Sequence, residues 1–187
     1  MPLIVKKVVK SMSDYNEILS LYTNAFPKDE RIPLWLLKIG SKSKKVDFLA
    51  FYDEQNANKF VGFVYLLHYK KLSYLCFFAI DEAERGKGYG SEILKWMQMH
   101  YAEQTILLAM EEIDRKYSNY EERIKRRNFY LKNDFAETEI LMIERKVRYS
   151  LMIFGQEQSI QAYKQLFKRY ASGLIRIKLY DKNGKRL

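Results

Sequence analysis

Three of the chain's eight glycines, Gly86, Gly88 and Gly90, fall within the five-residue stretch GKGYG. Glycine enters left-handed backbone without steric cost, so alternating glycines turn successive N–H groups outward with no side chain over them. Downstream, Ile93, Leu94, Met97 and Tyr101 recur at helical spacing. The glycines therefore stand at a helix N-terminus, where unpaired N–H groups and the positive end of the helix dipole attract an anion, phosphate above all. Arg85 and Lys87 add positive charge to the same stretch. An ordinary glycine-rich turn is the competing reading of a GxG on its own. Two familiar phosphate loops do not fit: no Gly-Lys-Ser/Thr triplet follows, and the glycine order is not G-x-G-x-x-G.

The elements that must hold this loop follow from hydrophobic period and turn residues. LIVKKVV, from Leu3, reads as an opening strand, and a helix begins near Ser13, with Tyr15, Ile18, Leu19, Tyr22, Ala25 and Phe26 at helical spacing and Pro27 as its stop. PLWLLKIG reads as a short helix with Pro33 in its first turn and Gly40 at its end. Residues 46–52, 59–68 and 72–80 read as strands, separated by the turns DEQNAN and YKK. The last of the three is apolar at nearly every position, the pattern of a central strand covered on both faces. Cys76, the single cysteine, lies in that run and reads as a small buried hydrophobe. Further on, 105–112 reads as a strand, 119–134 as a helix, and 135–142 and 147–154 as two closing strands. Ile160, Tyr163, Leu166, Phe167 and Tyr170 then share one helical face that ends at Gly173, and Leu174 to Leu179 alternate apolar and basic as an edge strand does.

Arg85, Gly88 and Gly90 fill the pattern R/Q-x-x-G-x-G/A, and AIDEAERGKGYG resembles the strand-to-loop sequence that binds acyl-CoA in the GNAT superfamily of N-acetyltransferases. The resemblance runs over roughly residues 3–150 and extends to RRNFYLKNDF, which is similar to the family's F-Y-x-x-x-G-F segment with Asp134 in place of the glycine. Asn133 and Asp134 both tolerate left-handed backbone, so a helix stop survives that replacement. The implied fold is mixed α/β, with a mostly antiparallel sheet of about seven strands flanked by about four helices and a C-terminal helix–strand extension. The implied division is an acetyltransferase domain over 1–154 and a basic extension over 155–187, packed on the same domain.

The resemblance also assigns roles. The backbone of Phe77, Phe78 and Ala79 would hydrogen-bond the pantetheine arm, and the amides of Arg85, Gly86, Lys87, Gly88, Tyr89, Gly90 and Ser91 would hold the pyrophosphate. Tyr130 takes the family's tyrosine position, as the acid at the departing sulfur, with a packing tyrosine as the plain alternative. Asn128 falls on the stripe Tyr120, Ile124, Leu131 and either binds the CoA arm or satisfies a backbone group. An attacking amine must be neutral, so a carboxylate base is expected. The position where many members carry a glutamate is Ala109 here, which leaves Glu111 and Glu112 at the strand end, either as the base or as solvated charges. In the loop FPKDERIP, Asp29, Glu30 and Arg31 are the acceptor-binding candidates beside a reading as ordinary turn charges.

Composition bounds the alternatives. A chain of 187 residues, 48% hydrophobic, can close one sizeable core, and no apolar run is long enough to span a bilayer. MPLIVKKVVK has no apolar leader segment, so a cytoplasmic protein is expected, as monomer or homodimer and without a membrane partner. No His or Cys spacing suits a metal. The net charge of +10 is uneven: residues 144–187 carry eleven Lys or Arg against three Asp or Glu, whereas the first 143 carry 22 against 20. No nucleic-acid-binding motif accompanies that basic segment. The expected function is acetyl transfer from acetyl-CoA to a primary amine, on a small molecule or a peptide. A silent acyl-CoA-binding protein and, more weakly, a basic nucleic-acid-binding protein stand beside it.

Overall fold

The computed structural model describes every residue except Met1, Asp29, Lys146 and Leu174, with all side chains but those of Ala171 and Ser172. The fold is mixed α/β, with an eight-stranded, mostly antiparallel sheet and five α-helices. Seven strands and four helices match the expected core, and the eighth strand and fifth helix are the C-terminal extension. The chain divides into two compact units, residues 1–68 with 75–97 and residues 69–74 with 98–187. Among the described residues, no helix is long and apolar enough to cross a membrane.

The first unit holds β1 (Leu3–Lys7), β2 (Val46–Asp53), β3 (Lys59–Tyr69) and most of β4 (Leu72–Ile80), in that lateral order. β1 and β2 pair antiparallel from Leu3↔Asp53 to Lys7↔Leu49, and β2 and β3 pair antiparallel with an irregularity at Phe51/Tyr52. Helix α1 (Tyr15–Ala25) buries Ile18, Leu19, Leu21 and Tyr22. Its Tyr22 ring meets Phe77 of β4 edge-on at 5.0 Å, and Phe26 meets the same ring at 5.1 Å. Phe48 and Phe63 extend this aromatic cluster at 5.6 Å. Such edge-to-face pairs favour one geometry beyond the area they bury, which fixes the face of β4 that carries Phe77. Helix α2 (Leu34–Gly40) differs from expectation at its start: Pro33 sits just outside the helix with extended backbone, and its carbonyl accepts from the Leu36 and Leu37 amides at 2.9 and 3.1 Å. Cys76 is half-buried rather than fully enclosed, because the β4 face carrying Cys76, Phe78 and Ile80 is less covered than the opposite one.

Gly62 explains how β3 runs so close to the end of β4. A Cβ at this position would lie 2.4 Å from the Ala79 carbonyl oxygen and 3.1 Å from the Ile80 Cα. Both are backbone or near-backbone atoms and cannot swing aside.

The second unit holds the start of β4, then β5 (Thr105–Glu111), β7 (Val147–Phe154), β6 (Ala136–Glu144) and β8 (Ile177–Asp181). β5 pairs antiparallel with β7, Ala109 facing Leu151 and Glu111 facing Tyr149. Asp134 ends helix α4 (Tyr120–Lys132) at φ 64°, in the left-handed region, before β6 begins. In the extension, Ser159 caps α5 (Ile160–Phe167), which buries Tyr163, Leu166 and Phe167. Phe167 and Tyr170 meet the Tyr74 ring edge-on at 5.1 and 5.6 Å. β8 is the edge strand, paired with β6 by Met142↔Leu179, and starts at Ile177, three residues later than the alternation predicts. The Leu174 end of that alternation lies outside the described residues.

Gly62→Ala forces the β3 and β4 backbones apart and is expected to cost about 1–3 kcal/mol. Urea unfolding checks this, and an unchanged midpoint would show that the close approach relaxes freely.

Candidate functional site

In the first unit, β4 ends at Ile80 and the chain passes through a single 3₁₀ turn, Glu82–Glu84, into the glycine loop. Asp81 caps that turn, its Oδ1 accepting from the Ala83 amide at 3.0 Å. Gly86 and Gly88 have φ of 78° and 94°, the conformation that favours glycine, and a Cβ on Gly86 would meet no atom within 4 Å. The space over the loop is open. Helix α3 (Tyr89–His100) starts directly after Gly88, whose carbonyl accepts from the Ser91 and Glu92 amides at 3.0 and 3.2 Å. The amides before them head the helix, where no preceding turn offers them a carbonyl. α3 is held down by its buried residues Tyr89, Ile93, Leu94 and Met97. The Tyr89 hydroxyl donates to Asp53 Oδ2 at 2.6 Å. That hydrogen bond, with burial, pushes the phenol up to about 12. Tyr89 therefore offers the loop only its backbone, its side chain being spent as an anchor on β2.

The charges around the loop are arranged differently from a simple basic patch. Arg85 is exposed, and its Nε donates to the Ile80 carbonyl at 3.3 Å. Lys87 donates to Oε2 of Glu84 at 3.0 Å, and Lys59 of β3 donates to Oε1 of the same carboxylate. Glu84 is 1% exposed although both lysines are about half-exposed. Lys59 first, and Lys87 with it, hold the Glu84 carboxyl below the ordinary carboxylate range. Sequence reasoning missed Glu84, because its partner Lys59 lies 25 residues upstream on another strand.

In the second unit, Glu111 is buried and meets two arginines of α4. Arg123 donates to its Oε1 at 2.5 Å and Arg126 to its Oε2 at 3.1 Å. Arg123 is itself buried, donates to the Glu112 carbonyl at 2.6 Å and to Asn119 Oδ1 at 2.8 Å, and lies over the Tyr117 ring at 3.9 Å. Breaking such a buried pair from one side costs about 3–5 kcal/mol. Glu111 is thus neither a solvated charge nor a carboxylate with open oxygens; it is the tie between α4 and β5. Glu112 is more accessible and pairs with Arg148 Nε at 3.2 Å.

The apolar stripe expected on α4 is corrected by the same pair. Its buried position is Arg123, while Leu131 is exposed. Asn128 is exposed as well, so no buried polar group there demands a partner. Tyr130 is half-buried, its ring packed against Phe129 at 5.3 Å and Phe135 at 5.7 Å. Desolvation pushes its phenol up to about 12, the Arg126 charge pulling slightly the other way. In the loop between α1 and α2, Arg31 donates to the Thr23 carbonyl at 2.6 Å and closes the end of α1. Glu30 is half-buried and donates its amide to Pro27. Asp29 lies outside the described residues.

Residues 45–137 match the family described as acetyltransferase (GNAT) domain. The protein carries a GNAT acetyltransferase domain. It is an acyltransferase of the GNAT type, and its fold recurs in solved structures of acetyltransferases. A protein of Bacteroides thetaiotaomicron described as an acetyltransferase from the GNAT family superposes with a TM-score of 0.73 at 18% identity over 91% of this chain and 99% of its own. An aminoglycoside 6'-N-acetyltransferase complexed with coenzyme A gives 0.62 at 13% identity over 83% and 99%. Spermidine N-acetyltransferase from Vibrio cholerae, in complex with CoA and spermine, gives 0.59 at 17% identity over 81% and 94%. No curated protein matches the sequence significantly.

The Glu84 arrangement has a pH signature. A carboxyl lowered in the folded state stabilises the fold above its unfolded pKa of about 4.3, and that contribution is lost as pH falls through the folded value. Glu84→Gln is expected to unfold at lower urea than the parent at pH 7, with the gap closing below about pH 4. A gap that persists undiminished at pH 3 would show that the carboxylate charge is not what matters.

Proposed function

We propose that the protein transfers an acetyl group from acetyl-CoA to a primary amine by direct attack, with the glycine loop as the seat of the CoA pyrophosphate. The observation that carries this is the open, left-handed Gly86–Gly88 backbone at the head of α3, flanked by Arg85 and Lys87. That geometry suits an anion, and residues 45–137 match the acetyltransferase family. The amides from Arg85 to Ser91 hold the two phosphates, while Arg85 supplies uncompensated charge. Lys87 belongs to the Glu84 carboxylate and serves the phosphates as its second partner. The backbone of Phe77, Phe78 and Ala79 is the proposed partner of the pantetheine arm, with Asn128, exposed on α4, as a further candidate for it.

A lysine-like amine with pKa near ~10.4 is neutral in about one part in a thousand at neutral pH, so a base is required. Glu112 is the proposed base, because Glu111 already has both oxygens engaged by arginines. Glu112 accepts the amine proton as the new C–N bond forms and the C–S bond breaks. Tyr130 offers its O–H to the sulfur. With the phenol near 12 and a thiol near ~8.5, Tyr130 acts as a hydrogen-bond donor to the departing thiolate rather than as a group that gives up its proton for good. Glu30 and Arg31 are the proposed acceptor-side residues. Solved structures of similar fold belong to enzymes named for aminoglycosides and spermidine, which makes a small polyamine-like or aminoglycoside-like amine the first acceptor class to try. A non-catalytic acyl-CoA-binding role is the second reading, favoured by Ala109 at the family's glutamate position.

Acetyl-CoA is expected to raise the melting temperature, and the double variant Arg85→Glu, Gly88→Trp to abolish the rise; an unaltered rise would remove the loop from the site. Tyr130→Phe should keep the acetyl-CoA shift yet lower thiol release with an amine panel by about 10²-fold. Because the phenol stays protonated to about pH 12, the parent rate should show no descending limb below about pH 11 that Tyr130→Phe removes. Full activity in that variant would eliminate Tyr130, and no turnover by the parent with any amine would favour the binding role.

A further inference from the structure

The surplus charge of the C-terminal segment is collected in one concavity. Between α5 and β8 lies a cavity of about 420 Å³, within the size range of small-molecule pockets. It is lined by Lys164 of α5 and Lys168 just after it, by Arg176 and Lys178 at and beside the start of β8, and by Arg186, which bridges to Tyr180. Among the described residues, no aspartate or glutamate side chain lines it, and Leu187 at the end of the sequence forms part of its wall. Among the described residues, none of these five cations makes an ion pair. Elsewhere in the chain the same side-chain types find acids, as Lys182 does with Glu139 and Arg127 with Glu137. Five like charges gathered around one hollow repel one another unless an anion enters.

The floor of the cavity is apolar. Phe167 and Leu179 are each 4% exposed, and Ile175 and Ile177 are half-buried beside them. Arg176 and Lys178 also line a second basin with Ile143 and Arg145, so positive charge is densest along β8. We propose that this cavity is a second ligand site, for a small amphipathic anion whose oxyanion head is held at Arg176 and Lys178 and whose apolar body lies over Phe167. Guanidinium presents a fork of donors that matches carboxylate and phosphate oxygens alike. Nucleic acid fits less well: the aromatic ring here is buried in the floor rather than standing out for bases to stack on, and the site is a hollow rather than a stripe.

Calorimetric titration of the full chain tests the proposal, with octyl phosphate, octanoate, inorganic phosphate, octanol and a short single-stranded oligonucleotide as probes. One or both octyl anions are expected to bind at least tenfold more tightly than inorganic phosphate or octanol, and the pair tells phosphate from carboxylate as the preferred head. Lys168→Glu, Arg176→Glu should lose that binding by at least tenfold, with unchanged circular dichroism. The charge-matched Lys42→Glu, Lys44→Glu control should retain it. Lys168→Gln with Arg176→Gln is a milder pair should the reversal disturb folding. Equal, weak binding of every probe would overturn the proposal. So would equal loss in the control, which would mark general attraction, and so would an oligonucleotide that outcompetes octyl phosphate, which would make the surface a nucleic-acid site.

Discussion

The first unit depends on one buried carboxylate. Glu84 lies at the end of the turn between β4 and the glycine loop, and it binds Lys59 from β3 on one oxygen and Lys87 from the loop on the other. Strand, turn and loop are thereby tied at one point. A carboxylate that is 1% exposed is tolerated there because two ammonium groups meet it, and those groups keep the remainder of their surface in water. The consequence for chemistry is that loop charge is metered. Arg85 makes no ion pair among the described residues, whereas Lys87 is bonded to Glu84. The same unit adds a second anchor, Tyr89 to Asp53, directly under the first turn of α3. The amides of that turn are thus held in place before any ligand arrives, which is what preorganised electrostatic binding requires.

The second unit is organised on similar chemistry. Helix α4 is highly charged and packs through a guanidinium rather than through an apolar stripe: Arg123 is sandwiched between the Tyr117 ring and the Glu111 carboxylate, with its remaining donors on Glu112 and Asn119. The arrangement satisfies every group it buries. It also fixes the azimuth of α4, and with it the direction from which Tyr130 and Asn128 leave the helix. Glu111, a candidate base by position, is thereby given a positional duty, and the base is sought in the more accessible Glu112.

What was legible in the sequence was local. The largely apolar run of β4, the left-handed Gly86 and Gly88, the helical stripe of α3 that takes in Gly90 and the left-handed stop at Asp134 each depend on residues a few positions apart. What was illegible was pairwise and distant. Nothing near Glu84 announces Lys59, and nothing near Glu111 announces that Arg123, twelve residues on, is its partner. The stripe Tyr120, Ile124, Leu131 misled for the same reason, because hydrophobic period assumes apolar contact and this helix is held by an ion pair. Pro33 stands one position before α2 rather than in its first turn, because a proline suits either place.

The central claim is that the backbone amides at the head of α3 hold a pyrophosphate. Amide hydrogen exchange over residues 85–91, compared between free protein, CoA and pantetheine, tests it without depending on an acceptor or on catalysis. The account predicts strong slowing of exchange in this segment with CoA and little with pantetheine, which has no pyrophosphate. Exchange unaffected by CoA at a concentration that saturates binding, or slowed equally by pantetheine, would contradict it.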